Sequence, residues 1–183
     1  MKRLAFLAVA IMMVIPAVTL AQAAAAQPPK PGPEHQKLAA LIGNWTSEGE
    51  LTESPFGPSE KWSAKIKSEW FPGNFAVVRR VEGKGSVTGE SVGLEAVTYD
   101  PAAKTYTWYG LDSTGWTGFA TGSIKGDALQ VTWKGQGKDK AYTIRGTLAG
   151  LGKDKLHWTV EYSKDGKTWK TFAKAVDTRV KAN

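Results

Sequence analysis

The stretch LIGNWTSEGELT, Leu41 to Thr52, decides the fold. Up to Gly43 it reads as the end of a short apolar helical turn. From Trp45 onward, Trp45, Ser47, Gly49 and Leu51 fall on one face, and Thr46, Glu48, Glu50 and Thr52 on the other. A period of two, with one face mostly apolar and the other polar, belongs to a half-buried strand.

Working outward, the same alternation recurs along the chain. Before the strand, Glu34 to Ile42 places Leu38, Leu41 and Ile42 at helical spacing, so one or two turns of helix can pack an apolar face on a core. After it, the SPFGPS turn leads into KWSAKIKSEW, where Trp62, Ala64, Ile66, Ser68 and Trp70 point in and Ser63, Lys65, Lys67 and Glu69 point out. Phe71-Pro72-Gly73-Asn74 reads as a hairpin turn. In Phe75 to Glu82 the pattern does not decide whether Arg79 or Arg80 faces inward. EGKGSVTGE, Glu82 to Glu90, reads as a mobile glycine-rich loop, because no helix follows to make it a phosphate site.

Strands are then expected over Ser91–Tyr99, Lys104–Leu111 and Gly115–Ile124, with Gly110, Gly115, Gly118 and Gly122 allowing strong bending or close backbone approach. Leu129, Val131 and Trp133 alternate in the next strand, and Tyr142, Ile144, Gly146 and Leu148 in the one after. Asp165-Gly166 signals a two-residue hairpin loop. That loop puts Tyr162 opposite Trp169, Trp158 opposite Ala173 and Leu156 opposite Ala175, with Glu161 facing Lys170 and His157 facing Lys174 on the reverse. The pattern gives an all-β chain, an up-and-down antiparallel barrel of about ten strands with a short N-terminal helix. A two-sheet sandwich is disfavoured, since no long crossover is available for a Greek key.

The chain opens with Lys2 and Arg3, an uncharged run from Leu4 to Leu20, and Ala21-Gln22-Ala23. Residues 1–23 are expected to be a secretory signal peptide, cleaved there or at a nearby alanine up to Ala26. The run is short for a membrane span and is interrupted by Pro16, which disfavours an uncleaved anchor. Residues 24–33 form a proline-rich linker and 34–183 the barrel domain. The mature protein is expected to be exported, periplasmic or secreted, with no stable membrane anchor.

Cysteine is absent and all three methionines lie in the leader, so disulfides, thiolate metal sites and a methionine haem ligand are excluded in the mature chain. The net charge of +7 comes from 24 basic and 17 acidic residues. The lysines are scattered over outward faces, and no arginine-rich helix or basic motif points to nucleic acid.

Taken together, the Gly43-x-Trp45 pair, PGPEHQKLAALIGNWTSEGE, the EWF-PG-NF hairpin, GLEAVTYDPAAKTYTWYG and DSTGWTGFATGSI resemble a family of bacterial lipocalin-like proteins known as domain of unknown function 1579. The resemblance implies a calycin-type barrel and no established activity. It further implies structural roles at the barrel's closure for Gly43, Trp45 and Arg179. The tryptophan would plug one end, with a basic residue near the end of the last strand lying over it.

The leading functional expectation is a barrel that binds a small hydrophobic or amphipathic molecule without transforming it. The cavity candidates are Trp62, Ile66, Trp70, Phe75 and Trp108 in the first half of the barrel, and Trp133, Arg145, Trp158, Tyr162 and Trp169 in the second. Arg79, Arg80 and Arg145 are possible partners for a carboxylate or headgroup if they point inward. No catalytic constellation emerges: there is no G-x-S-x-G elbow, Glu161 lies roughly 13 Å along the strand from His157, and Glu48 and Glu50 face outward. No metal site is expected and no cofactor is required. The alternatives are a haem barrel using His157 as single ligand, although its phase places it on the surface, and an envelope interaction module with a packed core.

Overall fold

The computed structural model describes residues 29–138 and 140–181. The signal peptide expected at 1–23 lies outside the described residues, as do residues 24–28 of the linker. Within them, a single helical turn, α1 (Pro33–Gln36), runs into a 3-10 turn, Lys37–Leu41. Ten strands follow: β1 (Gly43–Leu51), β2 (Glu60–Trp70), β3 (Ala76–Gly85), β4 (Gly89–Asp100), β5 (Thr105–Asp112), β6 (Thr117–Lys125), β7 (Ala128–Gln136), β8 (Ala141–Ala149), β9 (Lys155–Ser163) and β10 (Lys170–Arg179). Every strand pairs antiparallel with its neighbours in sequence, and β1 also pairs with β10, so the meander closes into a barrel. Closure satisfies the backbone groups that an open edge would leave exposed.

The helical segment and the starts of the odd-numbered strands form the closed end. Leu38 and Leu41 are buried against Trp45, itself 1% exposed. The Trp45 indole N–H donates to the Leu41 carbonyl at 3.0 Å. Over the opposite face of that indole lies Arg179, its guanidinium 4.0 Å from the ring centroid, within cation–π range. Arg179 also donates to the carbonyls of Ile42 and Ala40, tying the last strand to the helical turn. Gly43 is required here: its φ is +127°, and a Cβ would sit 2.7 Å from Arg179 Nη1. The aromatic ring of His35 packs edge-on to Phe75 and Tyr99, and the Tyr106 hydroxyl donates to Glu34.

Three local expectations are corrected. The second turn of the helical segment is 3-10 rather than α, although Leu38 and Leu41 still face the core. The glycines of Glu82–Glu90 are not a loose loop. β3 continues to Gly85 and β4 begins at Gly89, and the carboxylate of Glu60 accepts from Val87 N, Thr88 N and Thr88 Oγ1, which pins the short turn.

The last hairpin is the third. Its loop spans six residues, Lys164 to Trp169, rather than two, because side chains rather than an Asp-Gly backbone turn build it. Asp165 Oδ1 accepts from Lys167 N, Thr168 N and Ser163 Oγ, while Ser163 Oγ accepts from Gly166 N. Those backbone donors, Thr168 first, hold the Asp165 carboxyl down at about 2. With a further register shift at Phe172, Trp158 pairs with Ala175 and Leu156 with Asp177, and His157 faces Val176 instead of Lys174. From Ala173 onward the slip totals two residues, so those side chains keep their face, whereas Lys170 and Thr171 slip by one, Glu161 faces Thr171 instead of Lys170, and Phe172 turns to the cavity.

Candidate functional site

At the other end the interior is hollow, a cavity of about 480 Å³. Tryptophans from four strands wall it: Trp62 of β2, Trp108 of β5, Trp133 of β7 and Trp158 of β9. Trp108 and Trp158 lie 5.5 Å apart between centroids. A fifth, Trp116, reaches in from the turn between β5 and β6 and remains 50% exposed at the mouth. The space exists because glycines lie beneath these rings. A Cβ at Gly146 would come within 2.7 Å of the Trp158 ring, and one at Gly110 or Gly118 within 2.7 or 2.5 Å of Trp116. Gly49 stands under Trp62 in the same way. The rings of Trp62, Trp116 and Trp158 therefore occupy space that a Cβ would take, and a barrel that side chains might fill stays open. Of the glycines of β5 and β6, expected from sequence to permit strong bending or close backbone approach, Gly110 and Gly118 seat an aromatic ring, whereas Gly122 lies against the Gln130 backbone.

The cavity floor is charged. Arg79, not Arg80, is the inward arginine of β3 and is 5% exposed. Its Nε donates to Ser68 Oγ at 3.3 Å, Nη1 to Glu95 at 2.8 Å and Nη2 to Asp177 at 3.4 Å, and its guanidinium stands 5.2 Å from the Trp108 ring. Ser47 Oγ donates to the other carboxylate oxygen of Asp177. Buried charges of this kind are tolerated only when paired and hydrogen-bonded, as here. Burial pushes the Glu95 carboxyl above the usual range and the nearby Asp177 charge adds to that, while Arg79 opposes it. At the rim, Asp112 Oδ1 accepts from Thr114 N, Thr114 Oγ1 and Trp116 N, which fixes the turn that carries Trp116.

The wall is incomplete on one side. β6 and β7 pair only from Thr121–Thr132 to Lys125–Ala128, whereas β7 and β8 stay paired to Gln136–Ala141. Thr117–Ala120 and Trp133–Gln136 therefore diverge near the open end, and a groove between them is lined by Trp116, Phe119, Trp133 and Phe172, all of which also line the cavity.

Of the residues expected to line a pocket, the structure brings Trp62, Ile66, Trp108, Trp133 and Trp158 together on the cavity wall. Trp70 packs on the core cluster and Phe75 against His35, at the closed end. Tyr162 belongs to a satellite aromatic cluster with Phe56, Tyr142 and Phe172. Arg145 and Trp169 require correction. Tyr142, Ile144, Gly146 and Leu148 are the inward residues of β8, so Arg145 points out, pairs with Glu161 at 2.8 Å and stacks 4.0 Å from Trp169. Trp169 belongs to the hairpin loop and not to the strand, so strand phase does not apply to it. His157 is exposed on the outer face, and no histidine lines the cavity.

Sequence reasoning missed Glu95, Asp112, Asp177 and Trp116. Asp177 shares the inward phase of Ala175 and Arg179, a signal that was available. Among the described residues no group of three His, Cys, Asp or Glu side chains converges on a metal position.

A family profile described as "Protein of unknown function (DUF1579)" matches residues 30–179. The chain belongs to the DUF1579 family. No curated protein matches it. The DUF1579 barrel is similar to the crystal structure of Rv2717c from M. tuberculosis, at 14% identity and a TM-score of 0.57, covering 83% of this chain and 100% of that one. It is also similar to the S-type phycobiliprotein lyase CPES from Guillardia theta, at 11% identity and a TM-score of 0.52, covering 84% and 100%. At such identities the likeness is one of fold.

Within the DUF1579 barrel the carboxylates of Glu95 and Asp177 hold Arg79, and the Ser47 hydroxyl is turned towards Asp177. The cavity has apolar walls, with polar groups gathered at its floor and rim.

Proposed function

We propose that this DUF1579 protein binds one small hydrophobic or amphipathic molecule in its barrel and releases it unchanged. The observation that carries the reading is the cavity itself: about 480 Å³, kept open by glycines under the indoles and sealed at one end by Trp45 and Arg179. This volume falls within the range of roughly 300–1,000 Å³ typical of ligand pockets.

Five of the eight tryptophans line the cavity, so titration of hydrophobic probes should give a saturable change in tryptophan emission. Ala120 lies inside, opposite Trp108 in the ladder, and Ala120→Leu should weaken that response by filling the space. A wild-type protein with no saturable change rejects the proposal. A haem reading is disfavoured, since no histidine reaches the cavity and a group on His157 would sit outside the barrel; a Soret band on haem addition that His157→Ala abolishes would restore it.

The leader, with Lys2 and Arg3 before an apolar run, supports export as the setting for this binding. Cell fractionation and N-terminal sequencing of the mature chain test it.

A further inference from the structure

We infer that the cavity selects an organic cation, an apolar body carrying an ammonium-like head, over a carboxylate of the same shape. The inference deepens the ligand-binding reading above and rests on it.

The charge balance of the wall carries the argument. Among the described residues Arg79 is the single basic one lining the cavity, against three acidic ones, Glu95, Asp112 and Asp177, and none of their lysines reaches it. That balance is opposite to the chain's net charge of +7, so it does not simply follow composition. Arg79 is already engaged through Nε, Nη1 and Nη2 by Ser68, Glu95 and Asp177. A carboxylate guest would meet only the two remaining N–H donors of a guanidinium already shared by two carboxylates, and would lie beside those like charges in a medium that screens them poorly. A cationic head meets the reverse: carboxylates at the floor and rim, with Asp112 using only Oδ1 to hold its turn.

The walls act in the same direction. An aromatic face carries negative charge density, and indole is the strongest of the natural cation–π partners. The cavity already contains one such pair, Arg79 over Trp108 at 5.2 Å. Trp62, Trp116, Trp133 and Trp158 offer further indoles around the same space.

The groups facing Glu95 are Arg79 of β3, Asp177 of β10 and Trp108 of β5, with Ser68 of β2 and Ser47 of β1 behind them through Arg79 and Asp177. Burial raises its carboxyl above the usual range, and a cation settling beside it favours the ionised form. Cation affinity therefore rises with pH through that titration, whereas affinity for an uncharged guest does not.

The test uses three probes with one chain, decyltrimethylammonium, decanol and decanoate, each below its micelle concentration. Binding to the mature protein is followed by tryptophan emission and calorimetry. The expected result is saturable binding of the ammonium at least about tenfold tighter than decanoate, a difference of about 1.4 kcal/mol. Glu95→Gln and Asp112→Asn each weaken the ammonium severalfold more than they weaken decanol. Decanoate binding as tightly as the ammonium, or an ammonium affinity indifferent to both substitutions, overturns the inference and leaves the ligand-binding reading standing. Failure of all three probes to saturate overturns both.

Discussion

Replacing Arg79 with methionine keeps most of the side chain's volume and deletes the one positive charge in the interior network. Two carboxylates, Glu95 and Asp177, then share the floor with no counter-charge, while Ser68 loses its donor and Trp108 its cation. Removing one partner of a buried ion pair typically costs about 3–5 kcal/mol, most of it the penalty of the stranded charge. In a domain of this size each kcal/mol moves the melting temperature by about 2–4 °C, so a fall of roughly 6–20 °C is expected.

The sign of the pH dependence is fixed by Glu95. Its carboxyl is already raised in the folded protein, so its contribution to stability is full below the ordinary glutamate range and declines as pH rises through the folded value. Without the opposing guanidinium the carboxyl rises further. The deficit of Arg79→Met against wild type should therefore be largest at pH 8 and shrink towards pH 5. Urea denaturation followed by tryptophan emission at both pH values measures it. Adding Glu95→Gln and Asp177→Asn to the variant should recover most of the loss, since no charge is then left unpaired. A loss below about 1 kcal/mol, or a deficit equal at the two pH values, would refute the claim that this network is buried and charge-coupled.

Gly43→Ala places a methyl group 2.7 Å from Arg179 Nη1 at a φ of +127°, and should lower stability by about 1–3 kcal/mol, measured by thermal melting. Glu60 is held below the usual carboxylate range, chiefly by the Thr88 backbone N–H, so its contribution is present at neutral pH and fades as pH falls through its folded value. The stability gap between wild type and Glu60→Gln should close on acidification, and a gap unchanged below pH 4 would contradict that. Trp116→Ala should change stability by less than about 1 kcal/mol, because the ring is half exposed, yet weaken probe binding by removing part of the mouth. Equal affinity in a calorimetric titration would show that the ring is no part of the site.

The faces of the strands were legible because alternation is enforced by burial itself. Trp62, Ile66, Trp133 and Trp158 must point inward whatever their partners are. Register was not legible in the same way. The Asp165 side chain gathers Lys167 and Thr168 N–H groups into a longer loop, and together with the shift at Phe172 this gives a two-residue slip that leaves the apolar and polar faces intact from Ala173 onward, so no pattern of hydropathy detects it there. Arg145 has the chemistry of a headgroup partner, but the inward phase of Ile144 and Gly146 turns it outward. Trp116 and Trp169 occupy turns, where phase has no meaning. Glu95 and Asp177 are not legible as a pair in the sequence, because a carboxylate on an inward face is tolerated only with Arg79 lying between them.

The divergence of β6 from β7 has a mechanical consequence. Elsewhere, widening this barrel means breaking ladder hydrogen bonds, but between Thr117–Ala120 and Trp133–Gln136 there are none to break. That flank behaves as a seam left unstitched, able to part and draw together at little energetic expense. Its amides that face the seam should be the first of the strand residues to trade hydrogen for deuterium, and under the proposed binding a guest too broad for the rim would have a sideways passage past Trp116 and Phe119.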